Sequence, residues 1–270
     1  ASIYQAMPVG VFVPRSSADV TLALEICRDL GVPIVARGGG TSQCGQTVNA
    51  GLIIDGSKHL NRILSLDVEG RTVTVEPGIV LDDLNRQLKP HGLWFPVDVS
   101  TASRATIGGM TANNSCGGRS IRYGTMRANV LTIDAVLADG SIYHGLKRLR
   151  KDNSGYDVKN LLIGSEGTLG IITAAALRLY PAAGGVGAAM FAVPSVEAAF
   201  LELRSTTAVM AVPTLTAPPR SAAATATTAV AGGVATGCQS LVSLGAAGSS
   251  FAGTIVTVVE VLSVLPCVLA

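Results

Sequence analysis

At 270 residues the chain has room for one or two domains, and a formal net charge of +2 is too small for a nucleic-acid footprint. Five cysteines (27, 44, 116, 238 and 267) and three histidines (59, 91 and 144) stand apart, with no C-x-x-C pair and no metal-ligand spacing. That pattern excludes a disulfide framework and a zinc site from the expectations, and fits a reducing compartment, the cytoplasm.

Val11-Phe12-Val13-Pro14 reads as a strand closed by proline. Ser16 with Asp19 is a helix-start signature, and apolar side chains recur at 20, 23, 24, 27 and 30 before Gly31 and Pro33 stop the helix. A strand over 33–36 completes a β-α-β unit. Its C-terminal end, where open α/β sheets place ligands, carries Arg37-Gly38-Gly39-Gly40-Thr41-Ser42-Gln43-Cys44-Gly45-Gln46-Thr47. Three successive glycines leave backbone N–H groups bare to form an anion nest, Arg37 adds a fixed positive charge, and Thr41 and Ser42 add hydroxyl donors. The stretch reads as a pyrophosphate cradle, with a ligand-free glycine turn as the plain alternative. A dinucleotide fingerprint begun at Gly38 would need glycine where Gln43 stands. Gly40 to Thr47 matches the nucleotide-binding G-x-x-x-x-G-K-[ST] loop except at Gln46, which replaces the lysine that reaches the terminal phosphates.

Leu52-Ile53-Ile54-Asp55 and Ile63-Leu64-Ser65-Leu66 read as further strands. Residues 67–70 form a turn, and 71–76 a strand with Val73 and Val75 on one face. Residues 80–89 read as a helix with a stripe of Val80, Leu81, Leu84 and Leu88; 129–138 and 141–144 form a hairpin around Asp139-Gly140. Strands and helices mix without regular alternation, so the class is α+β. Two more glycine-rich stretches stand out. Residues 105–118 pair glycine doublets with small polar side chains, as a loop against a large planar or phosphorylated ligand would, or as a plain surface loop. Residues 164–172 read as a turn entering a buried strand.

Together these pieces resemble FAD-linked oxidases of the vanillyl-alcohol oxidase/PCMH type, and within them the D-lactate, glycolate and D-2-hydroxyglutarate dehydrogenases. The motifs are Arg37-Gly-Gly-Gly-Thr-Ser42, Val75-Glu-Pro-Gly78, Ala105-Thr-Ile-Gly-Gly109, Arg122-Tyr-Gly124, Val136-Leu-Ala-Asp-Gly140 and Gly164-Ser-Glu-Gly-Thr-Leu-Gly-Ile-Ile-Thr173, in the family's order over roughly residues 8–182. The resemblance implies a PCMH-type FAD-binding domain of two α/β subdomains, 1–66 and 67–185. Residues 186–204 would begin a cap domain, and 205–270 form a low-complexity tail that is not a folded domain. It further implies that Arg37, Gly38, Gly39, Gly40, Thr41, Ser42, Gly45 and Gln46 hold the pyrophosphate. Pro77 and Gly78 would bind the cofactor, Thr106, Gly108, Gly109, Asn113, Ser115, Gly117 and Gly118 would line the flavin and ribityl region, and Glu166, Gly170, Ile171 and Ile172 would add cofactor contacts. Some relatives attach flavin through a histidine in the first loop; Thr41 and Ser42 stand there, so the expected FAD is non-covalent.

Residues 205–270 hold only two charges, Arg220 and Glu260, and lack the family's H-G-D-G-N-x-H-like metal motif. The expectation is a truncated chain with a frame-shifted end and no metal. The apolar run 251–270 carries Glu260 and Pro266, which argue against a membrane span. The first functional reading is oxidation of a small 2-hydroxy acid by hydride transfer to flavin N5, with catalytic base and electron acceptor unassigned. Arg122 and Tyr123 lie near a cofactor loop, with a structural role equally open. Three alternatives stand beside that reading: an FAD-binding module lacking its substrate domain, a nucleotide binder of the phosphate-loop kind, and a cell-wall reductase of the same FAD fold.

Overall fold

The computed structural model describes residues 3–146, 154–182, 185–193, 195, 197 and 255–263. Two compact units divide the chain, Ala1–Ala182 and Ala183–Ala270.

The first unit begins with a three-stranded parallel sheet. Strand β1 (Gly10–Phe12) leads to helix α1 (Ser17–Asp29), then to β2 (Ile34–Arg37) and β3 (Leu52–Asp55). β3 lies between the other two, so the β-α-β unit expected from sequence holds its two strands one position apart. The sequence signature at the start of α1 is realised atom by atom: the Asp19 N–H donates to Ser16 Oγ at 3.3 Å and the Ser16 N–H to Asp19 Oδ2 at 3.0 Å. Such a cap contributes about 1 kcal/mol. The backbone bond from Arg15 leads in holding the Asp19 carboxyl below the usual range; burial opposes it, and the bonds from Ser16 and the charge of Arg15 add to the lowering. Val20, Ala23, Leu24 and Cys27 face inward at helical spacing, whereas Leu30, expected on the same stripe, is exposed because the helix has ended at Asp29.

A five-stranded antiparallel sheet follows, in the order β4-β5-β9-β7-β8. It comprises β4 (Ile63–Asp67), β5 (Thr72–Val75), β7 (Val130–Leu137), β8 (Ile142–His144) and β9 (Gly170–Arg178). β6 (Leu93–Trp94) instead pairs with β10 (Tyr180–Pro181). Since β4 pairs with β5, the change from one sheet to the other comes before Ile63 rather than after residue 66. Val73 and Val75 are wholly buried by the two-residue period, and Leu81, Leu84 and Leu88 of α2 (Leu81–Leu88) cover that face. Burial of each such side chain is worth about 1.5–3 kcal/mol.

Stretch 105–118 is not the long loop that its glycines suggest. It contains α3 (Ile107–Ala112), capped by Thr106 Oγ1, which accepts from the Gly109 N–H at 3.4 Å. Two adjacent glycines are poor helix formers. Tertiary packing overrides them here, with Ile107 and Met110 buried three residues apart in the core. Short helices α4 (Ser120–Tyr123), α5 (Met126–Asn129) and α6 (Val158–Leu162) complete this unit.

In the second unit β11 (Gly185–Val193) pairs antiparallel with β12 (Ile255–Ser263) from Gly185↔Ser263 to Val193↔Ile255. Glu260 thus stands on a strand; the rest of the expected tail, 205–254 and 264–270, and nearly all of 194–204 lie outside the described residues. Among the described residues no helix is long and apolar enough to cross a membrane.

Candidate functional site

Parallel strands end together, and here their C-terminal ends open onto one cavity. β1 leads to Pro14, β2 to Ala36, Arg37 and Gly38, and β3 to Gly56. The opposite wall comes from the antiparallel half: Pro77 and Gly78 after β5, Thr106, Gly108, Gly109 and Ala112 at α3, and Glu166, Gly167 and Gly170–Thr173 leading into β9. The walls are apolar or bare backbone, with Arg37 and Glu166 the charged residues among the lining.

The glycines of the first loop serve two ends. A Cβ on Gly38 would collide with Thr106 Oγ1, and one on Gly39 with the Arg104 carbonyl, so these two let the first loop lie backbone-close on the segment before α3. The expectation that all three glycines bare the chain for a ligand is corrected in that respect: protein fills the space over two of them. Gly40 has φ +63°, and the Arg37 guanidinium lies over it, its Nη2 2.6 Å from where a Cβ would stand.

The N–H groups of Gly38, Gly39, Gly40, Thr41 and Ser42 donate no hydrogen bond within the described residues, and Arg37 forms no ion pair there. Gly38 to Ser42 are half-buried and Arg37 is exposed, so these donors are open to solvent and to a ligand. Five successive backbone donors beside an uncompensated guanidinium make a donor set suited to phosphate oxygens. Gly56 has open space in front of it, so a side chain there would enter the cavity.

Of the residues expected from sequence, Arg37, Gly38, Pro77, Gly78, Thr106, Gly108, Gly109, Glu166, Gly170, Ile171 and Ile172 line this cavity. Gly39, Gly40, Thr41, Ser42, Gly45, Gln46, Asn113, Ser115, Gly117 and Gly118 do not. Gly45 lies against the Tyr4 ring and Gly117 against Asp98, whose Oδ1 also accepts from the Arg119 N–H at 3.1 Å. Tyr123 stacks edge-on between Trp94 (5.8 Å) and Tyr180 (5.0 Å), with the Arg122 guanidinium over its ring, away from the cavity. Sequence reasoning missed Pro14, Val20, Ala36, Ile54, Gly56, Leu60 and Thr173 in the lining, whereas Ala112 and Gly167 fall within the glycine-rich stretches it marked. Gly56 was legible as a glycine directly after an apolar strand; Pro14 and Leu60 carry no local signal.

Behind the cavity wall Glu76 is buried (6% exposed) and accepts three bonds from Arg62: from N at 2.8 Å and Nε at 3.1 Å to Oε2, and from Nη2 at 2.9 Å to Oε1. Burial pushes this carboxyl up, yet the side-chain and backbone bonds and the charge of Arg62 together outweigh it and hold it below the usual range. Glu166 adopts φ +53°, a left-handed backbone that a side chain resists, and its N–H donates to the Ala112 carbonyl at 2.9 Å.

A family described as an FAD binding domain matches residues 8–145. The chain is 43% identical over 180 residues to glycolate oxidase subunit GlcD of Bacillus subtilis, covering 66% of this chain and 38% of that protein. It is 41% identical over 203 residues to a probable mitochondrial D-lactate dehydrogenase of Danio rerio, covering 73% and 40%. A D-2-hydroxyglutarate dehydrogenase of Pantoea ananatis is 44% identical over 144 residues, 52% of this chain and 14% of that protein. A solved structure of alkyldihydroxyacetonephosphate synthase superposes with a TM-score of 0.63 at 25% identity, over 75% of this chain and 40% of that one. The chain therefore spans about two fifths or less of the length of these relatives.

Proposed function

The chain belongs to the FAD binding domain family, its cofactor is FAD, and from that premise we propose that it is the cofactor-holding part of an oxidoreductase acting on a small 2-hydroxy acid. The observation that carries the reading is the run of unpaired N–H donors from Gly38 to Ser42 beside Arg37. The residues present fit the cofactor. These donors and the guanidinium would hold the pyrophosphate oxygens, while Pro14, Ala36, Leu60, Pro77 and Ile171 offer apolar and bare-backbone surface to the rest. Thr41 and Ser42 stand where a covalent histidine attachment would sit, which supports non-covalent FAD.

When bound, FAD would supply the acceptor of two electrons and two protons that oxidation of a 2-hydroxy acid to its 2-oxo acid requires. The chain's own contribution is binding and orientation: Arg37 neutralises phosphate charge, and the glycine joints at 38, 39, 78 and 108 hold both walls in register. The named activities of the relatives support the substrate class, and their greater length makes it a proposal for the whole protein. No role for nucleic acid is proposed, and the electron acceptor is left unassigned.

The test is spectroscopic. The purified chain is expected to be yellow, to release its flavin on denaturation, and to bleach without oxygen on addition of glycolate, D-lactate or D-2-hydroxyglutarate. A yellow chain that none of the three bleaches is an FAD-binding module on its own, and the hydroxyacid reading is sunk when the whole protein fails to bleach as well. A colourless chain that takes up no added FAD sinks both.

A further inference from the structure

We propose that the Arg62–Glu76 pair is a latch across the cofactor cradle, with both residues acting as positioning residues that set FAD affinity. The inference rests on the FAD reading of the cavity. Segment 56–62 lies between the two sheets and belongs to neither, yet it supplies Gly56 and Leu60 to the lining. Its partner across the wall is 76–78, which supplies Pro77 and Gly78. The two run together by a ladder of backbone bonds: the Glu76 N–H donates to the Arg62 carbonyl at 2.9 Å, and the Gly78 N–H to the Leu60 carbonyl at 2.6 Å. The ladder continues to α3, where the Gly108 N–H donates to the Pro77 carbonyl at 2.7 Å. Three lining segments are thus hydrogen-bonded side by side, and the Glu76 carboxylate closes the outer end with three bonds from one residue.

A buried carboxylate is a poor way to gain stability alone, since desolvation offsets much of the attraction. What it supplies is register. β4 has no buried residue and is paired with β5 through an irregularity between Ile63 and Ser65, so burial specifies its register only weakly at this end. A one-residue slip would carry Leu60 away from Gly78, where an added Cβ would stand 2.2 Å from the Gly56 carbonyl oxygen and 2.7 Å from that of Leu60. The forked geometry of Arg62 on one carboxylate allows a single register, because Oε2 must meet both the backbone N–H and Nε.

FAD affinity of the full chain decides the matter, measured by flavin fluorescence together with the visible circular dichroism of the bound flavin. All variants are compared below their melting temperatures. Glu76→Gln is expected to raise the FAD Kd about tenfold, the size of coupling found between contacting residues, and to alter the flavin dichroism. Arg62→Lys, which keeps charge and backbone but loses the fork, is expected to fall between wild type and Glu76→Gln. Val73→Ala empties a buried site on the same strand without touching the ladder, and is expected to lower the melting temperature while leaving Kd within about twofold, as distant sites act independently. Wild-type affinity in Glu76→Gln overturns the latch, as does an equal loss in Val73→Ala. If Glu76→Gln does not fold, Arg62→Lys decides, and wild-type affinity there overturns it. A wild-type chain that binds no FAD overturns the cofactor reading, and the latch falls with it.

Discussion

The two walls of the cavity are built on opposite plans. Among the described residues the antiparallel half gathers 22 buried ones into one core, from Val73 and Leu84 to Ile133 and Leu177, whereas the cluster around α1 holds six, Val136 of β7 among them. The donors at Gly38–Ser42 belong to the thinly packed half, and the glycine joints that receive them belong to the densely packed one. A loop with unpaired backbone groups is easily deformed, so it depends on a rigid surface to keep it in one shape. The division places the larger core in one half and the proposed phosphate donors in the other, joined where Gly38 lies on Thr106 and Gly39 on Arg104.

The division breaks if the core of the second half proves dispensable. Leu84→Ala, at a wholly buried site, is expected to cost about 4 kcal/mol in denaturant unfolding. Next in size is Gly39→Val, whose added atoms meet the Arg104 backbone; it is expected to cost about 3 kcal/mol and to strip the purified chain of flavin, read as the ratio of 450 nm to 280 nm absorbance. A Gly39→Val protein with full flavin content would show that the joint is not needed. Leu24→Ala, in the six-residue cluster, is expected to cost only about 2 kcal/mol, because its smaller and partly open surroundings can relax. Equal losses at Leu24 and Leu84 would erase the contrast in packing.

Two smaller effects sharpen the contrast at the wall itself. The Glu76 carboxyl titrates below its unfolded value, so its contribution is whole above the ordinary glutamate pKa of about 4.3 and is lost as the pH falls through the depressed folded value. Unfolding at stepped acid pH should therefore show wild type losing its advantage over Glu76→Gln in that window, and a constant gap across it would remove the charge from the account. Glu166→Gly is expected to add about 0.5 kcal/mol. Relief of left-handed backbone, worth about 1–2 kcal/mol, is offset by the freedom glycine gains when unfolded. A lower melting temperature would mean that the side chain holds the wall.

Much of the fold was legible because its signals are local. The Ser16–Asp19 cap, the alternation at Val73 and Val75, the stripe of Leu81, Leu84 and Leu88, and the Asp139-Gly140 turn each depend on residues within a few positions of one another. The motifs carried the cavity in outline, and Arg37, Gly78, Gly108 and Ile171 do meet there. α3 was not legible, since Gly108 and Gly109 oppose a helix and only the burial of Ile107 and Met110 forms it. Pro14 and Leu60 were not legible either, because nothing in their neighbourhoods distinguishes them from other turn and core residues.

Sequence by itself determined the strands around 11–13, 34–36, 52–55, 63–66, 71–76 and 129–144 and the turns between them, and it marked three glycine-rich loops with one arginine as the candidate site. Tertiary structure alone decided what each glycine is for. Whether a missing Cβ makes room for a ligand or for another backbone depends on what lies opposite, and for Gly38 and Gly39 that is Thr106 and Arg104, more than sixty positions away. Short-range order follows from dihedral preference and periodicity, which each residue carries with it; the partner across a close contact is set only when two distant segments are packed together.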